Sequence, residues 1–332
     1  MKKISLFVVG CLLGISAVVA QNVEASVQLS VQDGVYGGLK GQIERSATKL
    51  LTEINQAFLE GRSLHTVGLN MSEDAVNGLT ALWENVHFYC DDSEVVQSAL
   101  QTSNGYQVRQ IPLMLRPDDK APTADDEYQE AVINFDKNGK ITRFNLTLAT
   151  NVYQNVMKRG KTVEEVERRQ QILSYVEHFR TAYNEKDIQF LDQVFSDDAL
   201  IITGTVIKVR KTDGTGISHN KVTYRKQSKQ EYLTRLKRSF AVNKYINVKF
   251  DDVRVVKHPT KEGFYGVTVH QLYSNSSGYS DDGYLFLLWD FRDQNNVQIH
   301  VRTWQPKYLN EAKTEELPKD EIFTAGDFSI DL

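Results

Sequence analysis

The protein has 332 residues, of which 41% are hydrophobic and 25% are charged, and its formal net charge is −4. This composition is typical of an ordinary globular protein, and the length predicts two domains of average size. The small negative net charge argues against nucleic acid as a general partner, and we exclude that class from the expected functions.

The first twenty residues are predicted to be a secretion signal. Lys2 and Lys3 form a basic start, an apolar run covers residues 4–19, and Ala20 ends a small-residue cleavage site. A membrane anchor and a lipoprotein modified at Cys11 are the alternatives. The apolar run is short for an anchor, and the apolar residues after Cys11 disfavour a lipoprotein. We therefore expect export to the periplasm or the extracellular space, with no transmembrane segment after removal of the signal.

Removal of this signal would leave Cys90 as the single cysteine of the mature chain. No intramolecular disulfide could then form, even in an oxidising compartment. The fold must be held together by burial of apolar side chains.

Residues 34–150 are predicted to form a first domain with helices first and strands after them. One helix ends at Gly61, and a second begins at Ser72, a residue type that caps helix N-termini. Two hairpins follow, with turns at residues 104–105 and 136–139. The first helix carries an apolar stripe with the spacing of one helical face, formed by Ile43, Ala47, Leu50, Ile54 and Phe58.

The stretch from Val163 to Gly204 is predicted to contain a long helix, a short helix and the start of a strand. Asp187 is placed to cap the short helix, and the strand is expected to begin after Asp198. The long helix has an apolar stripe with a 3.6-residue period, formed by Ile172, Val176, Phe179 and Tyr183.

This order resembles the opening of the nuclear transport factor 2-like superfamily, the cone-shaped α+β fold shared with SnoaL-like proteins and ketosteroid isomerase. The resemblance covers residues 163–308 and is nearest to uncharacterised secreted bacterial members. It implies helices packed on a strongly curved antiparallel sheet that encloses an apolar pocket. The residues that carry the resemblance are Phe179-Arg180-Thr181-Ala182-Tyr183-Asn184, Lys186-Asp187 and Phe195-Ser196-Asp197-Asp198-Ala199.

The first domain shows the same element order, with helices before antiparallel hairpins. We therefore predict an α+β protein with two such units in tandem, of which residues 34–150 form a divergent cystatin-like unit. A linker at 151–162 joins it to the unit at 163–308. The tail at 309–332 ends in apolar residues around Phe328, which predict either a docking segment or a disordered end.

The last strands of the second unit supply the candidate pocket residues. Period-two alternation on the final strand places Ile299 and Val301 on one face and His300, Arg302 and Trp304 on the other. On the preceding strand, predicted from Tyr284 to Asp293, it places Leu285, Leu287, Trp289 and Phe291 on one face. In enzymes of the resembled superfamily, carboxylates, histidines or tyrosines in the pocket act as general acid or base. The candidates here are Tyr183, His270, Trp289, Asp290, His300, Arg302 and Trp304. They form no recognisable sequence motif, and isolated strand histidines such as His270 and His300 are more often surface or hydrogen-bonded core residues than catalytic ones.

Ten residues between Lys208 and Arg238 are Lys or Arg, against two acidic residues. The first part of this segment predicts a loop or long hairpin, and the second part predicts a helix from Lys229 to Phe240. Such a segment can bind an anionic partner, for example an acidic glycan, a phospholipid head group or an acidic protein. The alternative is a solvated basic face that balances acids elsewhere. The candidates for the anionic-partner surface are Lys208, Arg210, Lys211, Lys221, Arg225, Lys226 and Lys229.

No motif predicts a metal site or a cofactor, because the seven histidines are scattered and no HExxH, CxxC, GxSxG or glycine-rich phosphate loop occurs. Two functions remain. The first is a secreted, non-catalytic binding or scaffold protein whose partner is a protein, a glycan, a small apolar ligand or a second copy of the chain. The second is a cofactor-independent lyase, isomerase or hydrolase that acts on a small apolar substrate in the second unit. An open pocket with paired ionisable groups would favour the enzyme, and a pocket filled by Trp289, Phe291 and Trp304 would favour binding.

Overall fold

The computed structural model describes residues 23–102, 104–116, 127–210, 218–293, 295–310 and 312–328. The predicted signal with Cys11, the basic residue Lys211 and the last four residues lie outside this part of the chain. Within the described ranges, no helix is both long enough and apolar enough to cross a membrane.

The first unit packs two helices against one face of an antiparallel sheet. The strand order is β2-β5-β6-β7, β4 pairs with the other end of β5, and β1 and β3 form a separate parallel pair. Its elements are β1 (Gln28–Val31), α1 (Gly37–Glu60), α2 (Glu73–Asn85), β2 (His87–Cys90), β3 (Glu94–Gln97), β4 (Ala99–Thr102), β5 (Gly105–Arg116), β6 (Glu127–Asp136) and β7 (Ile141–Leu146).

Helices α1 and α2 end and begin at the residues that the sequence analysis predicted. Helix α1 ends at Gly61, whose φ of 61° lies in the left-handed region that favours glycine. Ser72 caps α2 by accepting a hydrogen bond from the backbone N–H of Ala75 at 3.2 Å. The predicted apolar stripe of α1 packs into the first core, where Ile43, Leu50 and Ile54 are fully buried.

The second unit is built on one curled six-stranded sheet in the order β10-β11-β12-β13-β8-β9. All its strand pairs are antiparallel except β13–β8, which is parallel. A short helix, α3 (Thr150–Met157), lies in the predicted linker. The elements of this unit are α4 (Val163–Asn184), α5 (Ile188–Val194), β8 (Phe195–Arg210), β9 (Ser218–Gln227), α6 (Lys229–Val242), β10 (Ile246–Lys257), β11 (Phe264–Asn275), β12 (Ser280–Asp290) and β13 (Gln298–Pro306).

Helix α4 is buried on two sides, which its sequence pattern did not predict. Its apolar stripe packs into the core on the concave side of the second sheet. Its other side lies against the outer face of the first sheet and buries Glu177, His178 and Arg180. A helix that looked amphipathic and half-exposed is therefore enclosed over its C-terminal half.

Polar groups of this helix connect the two units. Arg180 donates from Nε to the carbonyl of Val248 in β10 at 2.7 Å and from Nη1 to the carbonyl of Thr147 at 2.6 Å. At a second contact, Asn85 exchanges two hydrogen bonds, at 2.9 and 2.7 Å, with the backbone of Ile246. These bonds satisfy backbone groups of one unit with side chains that also pack in the other.

The predicted alternation on β13 is wrong at one point, because a bulge interrupts its register with β12. Ile299 pairs with Trp289 and faces inward, but Val301 pairs with Leu288 and faces outward. The extra residue moves the remaining side chains by one position, so Arg302 and Trp304 point to the concave side. The predicted alternation on β12 is confirmed.

The C-terminal tail docks on the convex face of the second sheet. The ring of Phe328 stacks on Phe286 with centroids 5.5 Å apart, and Phe323 lies 5.4 Å from Tyr224. Together with Ala325, these rings cover a small apolar cluster that would otherwise face water. The structure therefore selects the docking segment over the disordered end for residues up to 328.

Candidate functional site

The concave side of the second sheet differs between its two ends, and one end is closed by aromatic rings. Trp289 is fully buried there, with ring centroids 5.6 Å from Tyr175, 6.3 Å from Phe179 and 5.9 Å from Phe291. Rings at these distances fill the space between sheet and helix. This end of the concave surface has the packing of a core.

Two tyrosines and an arginine meet further along the concave surface. Tyr183 lies in the last turn of α4 and Tyr232 near the start of α6, and their hydroxyls are 2.5 Å apart. The guanidinium carbon of Arg302 lies 4.8 Å from the centre of the Tyr232 ring. Burial holds the pKa of Tyr232 well above its usual range, so the phenol stays neutral and can donate a proton in a hydrogen bond.

A partly buried carboxyl group, Asp281 near the start of β12, is coupled to this cluster. Burial raises its pKa to about 6, although a 3.1 Å hydrogen bond from Tyr279 and the positive charge of Arg302 act in the opposite direction. A carboxyl group with this pKa exchanges a proton near neutral pH, which ordinary aspartates do not.

Several atoms of this region have unmet hydrogen-bonding capacity. Among the described residues, Asp281 Oδ1, Arg302 Nε and Trp304 Nε1 are buried and have no hydrogen-bond partner. Most buried polar groups in proteins are paired, so these three atoms are the free hydrogen-bonding capacity of this surface. We call Tyr183, Tyr232, Asp281, Arg302 and Trp304 the concave polar cluster.

Three of the predicted pocket residues lie on the convex side instead. His270 bonds Asp251 at 2.5 Å and Asp282 at 2.6 Å, and His300 Nε2 lies 3.4 Å from Asp290. These contacts are on the face opposite the concave polar cluster, because His270 and Asp290 alternate with inward-facing neighbours. The prediction that His270, Asp290 and His300 line the pocket is therefore wrong, whereas Tyr183, Trp289, Arg302 and Trp304 do face inward.

The helices α4, α5 and α6 lie with one curled, mostly antiparallel sheet around a single apolar core, as the sequence resemblance implied. This arrangement agrees with the one that the resemblance to nuclear transport factor 2-like proteins implied for residues 163–308. No family model and no curated protein matches the chain.

Solved structures similar to this chain include three that each cover less than half of it. An NTF2-like protein of unknown function from Pseudomonas putida is 10% identical, with 45% of this chain and 93% of that chain covered and a TM-score of 0.32. The beta subunit of a putative aromatic-ring-hydroxylating dioxygenase from Novosphingobium aromaticivorans is 14% identical, covers 44% and 94%, and has a TM-score of 0.31. ActVI-ORFA from Streptomyces coelicolor is 10% identical, covers 41% and 93%, and has a TM-score of 0.29. At these identities the likeness is one of fold alone.

Two members of the concave polar cluster were missed as site residues. Tyr232 lies in the helix predicted from Lys229 to Phe240 but is not among the predicted pocket residues. Asp281 precedes the predicted start of its strand, at Tyr284. Every second residue of β12 faces inward, so counting back from Leu285 through Gly283 assigns Asp281 to the inward face. This alternation could have identified Asp281 from the sequence.

The basic segment is divided between several surfaces. Lys221 and Arg225 lie on one face of the β8–β9 hairpin and Lys226 on the other, since successive strand residues alternate. Lys229 is only 14% exposed and pairs with Asp192 at 3.3 Å and Asp197 at 3.0 Å. Lys208 is exposed on β8. The positive charges of this segment are therefore not concentrated on one face.

Proposed function

We propose that the protein is an exported, non-catalytic binding protein of the cell envelope whose second unit holds a small, largely apolar ligand. The observation that carries this proposal is the set of three buried, unpaired polar atoms on the concave surface, Asp281 Oδ1, Arg302 Nε and Trp304 Nε1. Ligand sites are typically apolar surfaces with a few convergent polar groups, and this surface has that composition.

The unpaired atoms define the polar end of the ligand. Arg302 Nε and Trp304 Nε1 are donors, so they require an acceptor oxygen such as a carbonyl, carboxylate or phenol oxygen. Asp281 Oδ1 is an acceptor when ionised and requires a hydroxyl or amine proton. A ring or short chain bearing adjacent oxygen groups meets these requirements.

Equilibrium dialysis with aromatic carboxylic acids, phenols and cyclic ketones tests the proposal, together with native mass spectrometry for a co-purified small molecule. We expect saturable binding of at least one probe class. Asp281→Asn and Tyr183→Phe should each weaken it by about threefold to tenfold, the effect of one hydrogen bond. Tyr284→Phe, a tyrosine on the convex face, is the matched control and should leave affinity unchanged. Absence of a co-purified molecule and of binding by every probe would contradict the proposal.

The pKa of Asp281 supports a second candidate function, a cofactor-independent lyase, isomerase or hydrolase. A carboxyl group with a pKa of about 6 can accept and return a proton at neutral pH, and the Tyr232 hydroxyl, which lies 2.5 Å from that of Tyr183, could stabilise a developing oxyanion. Measurements on Asp281→Asn and on the wild type distinguish the two functions. In an enzyme, Asp281→Asn abolishes turnover while the ligand still binds. In a binding protein, the bound ligand is recovered chemically unchanged from the wild type after long incubation.

A further inference from the structure

A second, separate cavity of about 230 Å³ lies in the cleft between the first sheet and helix α3. It is remote from the concave polar cluster, because its walls come from β3, β4, β5, β6 and α3. Eight of its ten lining residues carry polar side chains, among them the amides of Gln97, Gln110 and Gln154.

The arginine of this cleft has its charge already compensated. Arg109 makes two hydrogen bonds to the buried carboxylate of Glu177, at 2.9 and 2.5 Å. Its guanidinium carbon also lies 4.0 Å from the centre of the Tyr153 ring, so the guanidinium covers one face of that ring. The remaining charge in the lining is the carboxylate of Glu130. The cleft therefore offers no excess positive charge for an anionic ligand.

The other polar groups are held in fixed positions by hydrogen bonds. The Thr150 hydroxyl donates to Glu130 Oε2 at 2.9 Å and accepts from Gln110 Nε2 at 3.0 Å. Gln97 Nε2 donates to the backbone carbonyl of Gln110 at 3.2 Å. These contacts join β3, β5, β6 and α3 around the cavity and orient the amide groups.

The backbone at Gln110 is strained. Its φ is 60°, in a region that side-chain-bearing residues rarely occupy, and it lies in a bulge between Val108 and Ile111 of β5. Bulges beside binding sites redirect a side chain, and backbone strain concentrates where function requires it. The bulge is what brings the Gln110 amide to the cleft.

The hydroxyl of Tyr153 is buried and has no hydrogen-bond partner among the described residues. Burial raises the pKa of this tyrosine, so the hydroxyl keeps its proton over the physiological range. A buried phenol without a protein partner can take a hydrogen bond from a ligand or from an ordered water.

We propose that this cleft binds a small, neutral, hydroxyl-rich ligand of about monosaccharide size. Amide side chains both donate and accept hydrogen bonds, as sugar hydroxyls do, and three of them line the cavity with one carboxylate and one phenol. The volume lies below the roughly 300–1,000 Å³ that is usual for drug-sized ligands, which sets the size limit. An acidic ligand would need an uncompensated cation in the cavity wall, and the only cation among the lining residues, Arg109, is paired with Glu177.

Titration calorimetry and saturation-transfer NMR on the intact protein test this assignment. The probes are D-glucose, D-galactose, N-acetyl-D-glucosamine and D-ribose, with glycine, putrescine and acetate representing zwitterions, amines and anions. We expect saturable binding of at least one sugar and a lower affinity for acetate. Tyr153→Phe and Glu130→Gln should each weaken sugar binding by about threefold to tenfold. Tyr128→Phe, an exposed tyrosine on β6, is the matched control and should bind like the wild type.

Three results would overturn the assignment. The first is failure of all four sugars to bind the folded wild type up to their solubility limits. The second is a preference for putrescine or acetate over every sugar, which would assign the cleft to charged ligands. The third is sugar binding that survives both Tyr153→Phe and Glu130→Gln, since the sugar would then occupy another surface. Circular dichroism of each variant checks that it is folded.

Discussion

At the scale of single residues, the main feature is a set of charges buried on helix α4. Glu177 is 1% exposed, and its carboxylate accepts two bonds from Arg109 and one from the backbone N–H of Leu148 at 3.0 Å. Burial lowers the pKa of Arg180 to about 10, but three hydrogen-bond acceptors surround its guanidinium. Each buried charge therefore has polar partners, which is the condition under which a core tolerates it.

Removing one member of the Arg109–Glu177 pair should destabilise the protein strongly. Glu177→Leu leaves Arg109 buried without its carboxylate, and we expect the free energy of unfolding to fall by about 3–5 kcal/mol. The double variant Arg109→Met/Glu177→Leu should lose less than Glu177→Leu alone, because no unpaired charge remains. Urea denaturation measures both changes.

The control for this comparison is an exposed ion pair. Arg254→Ala removes the Arg254–Asp252 pair, whose side chains are 54% and 60% exposed, and should cost less than about 1 kcal/mol. If Glu177→Leu cost no more than Arg254→Ala, the buried pair would have no role in joining the units.

Glu185 predicts how stability depends on pH. Burial raises its pKa from 4.5 to about 8, although the charge of Arg143 acts in the opposite direction, and its carboxyl lies against Gly78 of helix α2. Between those pH values the folded state binds more protons than the unfolded state, so the free energy of unfolding falls as pH rises from about 4.5 to about 8. This contribution is fully present below that range and lost above it.

Glu185→Gln should remove this pH dependence. We expect the variant to melt higher than the wild type at pH 8.5 and close to it at pH 4.5, as measured by thermal unfolding followed by circular dichroism. Glu167→Gln, on an exposed position of the same helix, provides the matched control. Equal melting temperatures of wild type and Glu185→Gln across the whole range would contradict the prediction.

At the scale of elements, the β8–β9 hairpin shows how topology redistributes a charge-rich segment. The alternation of β9 separates Lys221 and Arg225 from Lys226, and the N-terminus of α6 places Lys229 between two aspartates. The capping box of α6, formed by Ser228 and Glu231, fixes the helix start directly after the hairpin. The exposed basic residues therefore lie on the hairpin and on α6, where Arg235, Lys237 and Arg238 are exposed.

We propose that this hairpin holds an anionic partner through charge. The triple variant Lys221→Glu/Arg225→Glu/Lys226→Glu should elute from an anionic polysaccharide column at lower salt than the wild type, since salt screens exposed charges over about 8–10 Å. The control variant Lys137→Glu/Lys140→Glu/Lys257→Glu changes net charge equally on other exposed surfaces and should elute later than the hairpin variant. Identical elution of the two variants would show that only total charge matters.

At the scale of the whole molecule, the two units are joined because helix α4 packs against both sheets. Helix α4 completes the core of the second unit with its apolar side and covers the first sheet with its polar side. The predicted boundary at residue 163 separates two sheets but not two independent packing units, because the same helix is needed by both. The domain limits of 34–150 and 163–308 remain predictions.

Sharing of α4 predicts that the units unfold together. Loss of either sheet would expose Glu177 and Arg180 with their partners, so we expect one calorimetric transition whose calorimetric and van't Hoff enthalpies agree. Asn85→Ala, which removes the two bonds to Ile246, should broaden or split that transition. Two resolved transitions in the wild type would contradict shared packing.

The sequence by itself determined the local structure of this protein. Apolar spacing located α1, α4 and α6, capping residues such as Ser72 and Asp187 located helix starts, and alternation on β12 assigned its inward and outward side chains. These features depend on residues close together in the chain, and their periods are properties of the helix and the strand.

Only the tertiary structure decided which polar residues meet. A single bulge placed Arg302 on the same face as Ile299, and strand pairing brought Asp281 near Arg302 and Tyr232. The pairing of Arg109 with Glu177 spans 68 residues and has no local signal. Contacts of this kind depend on how two sheets and one helix pack. A buried polar group needs a hydrogen-bond partner, but the residues near it in the sequence do not identify that partner.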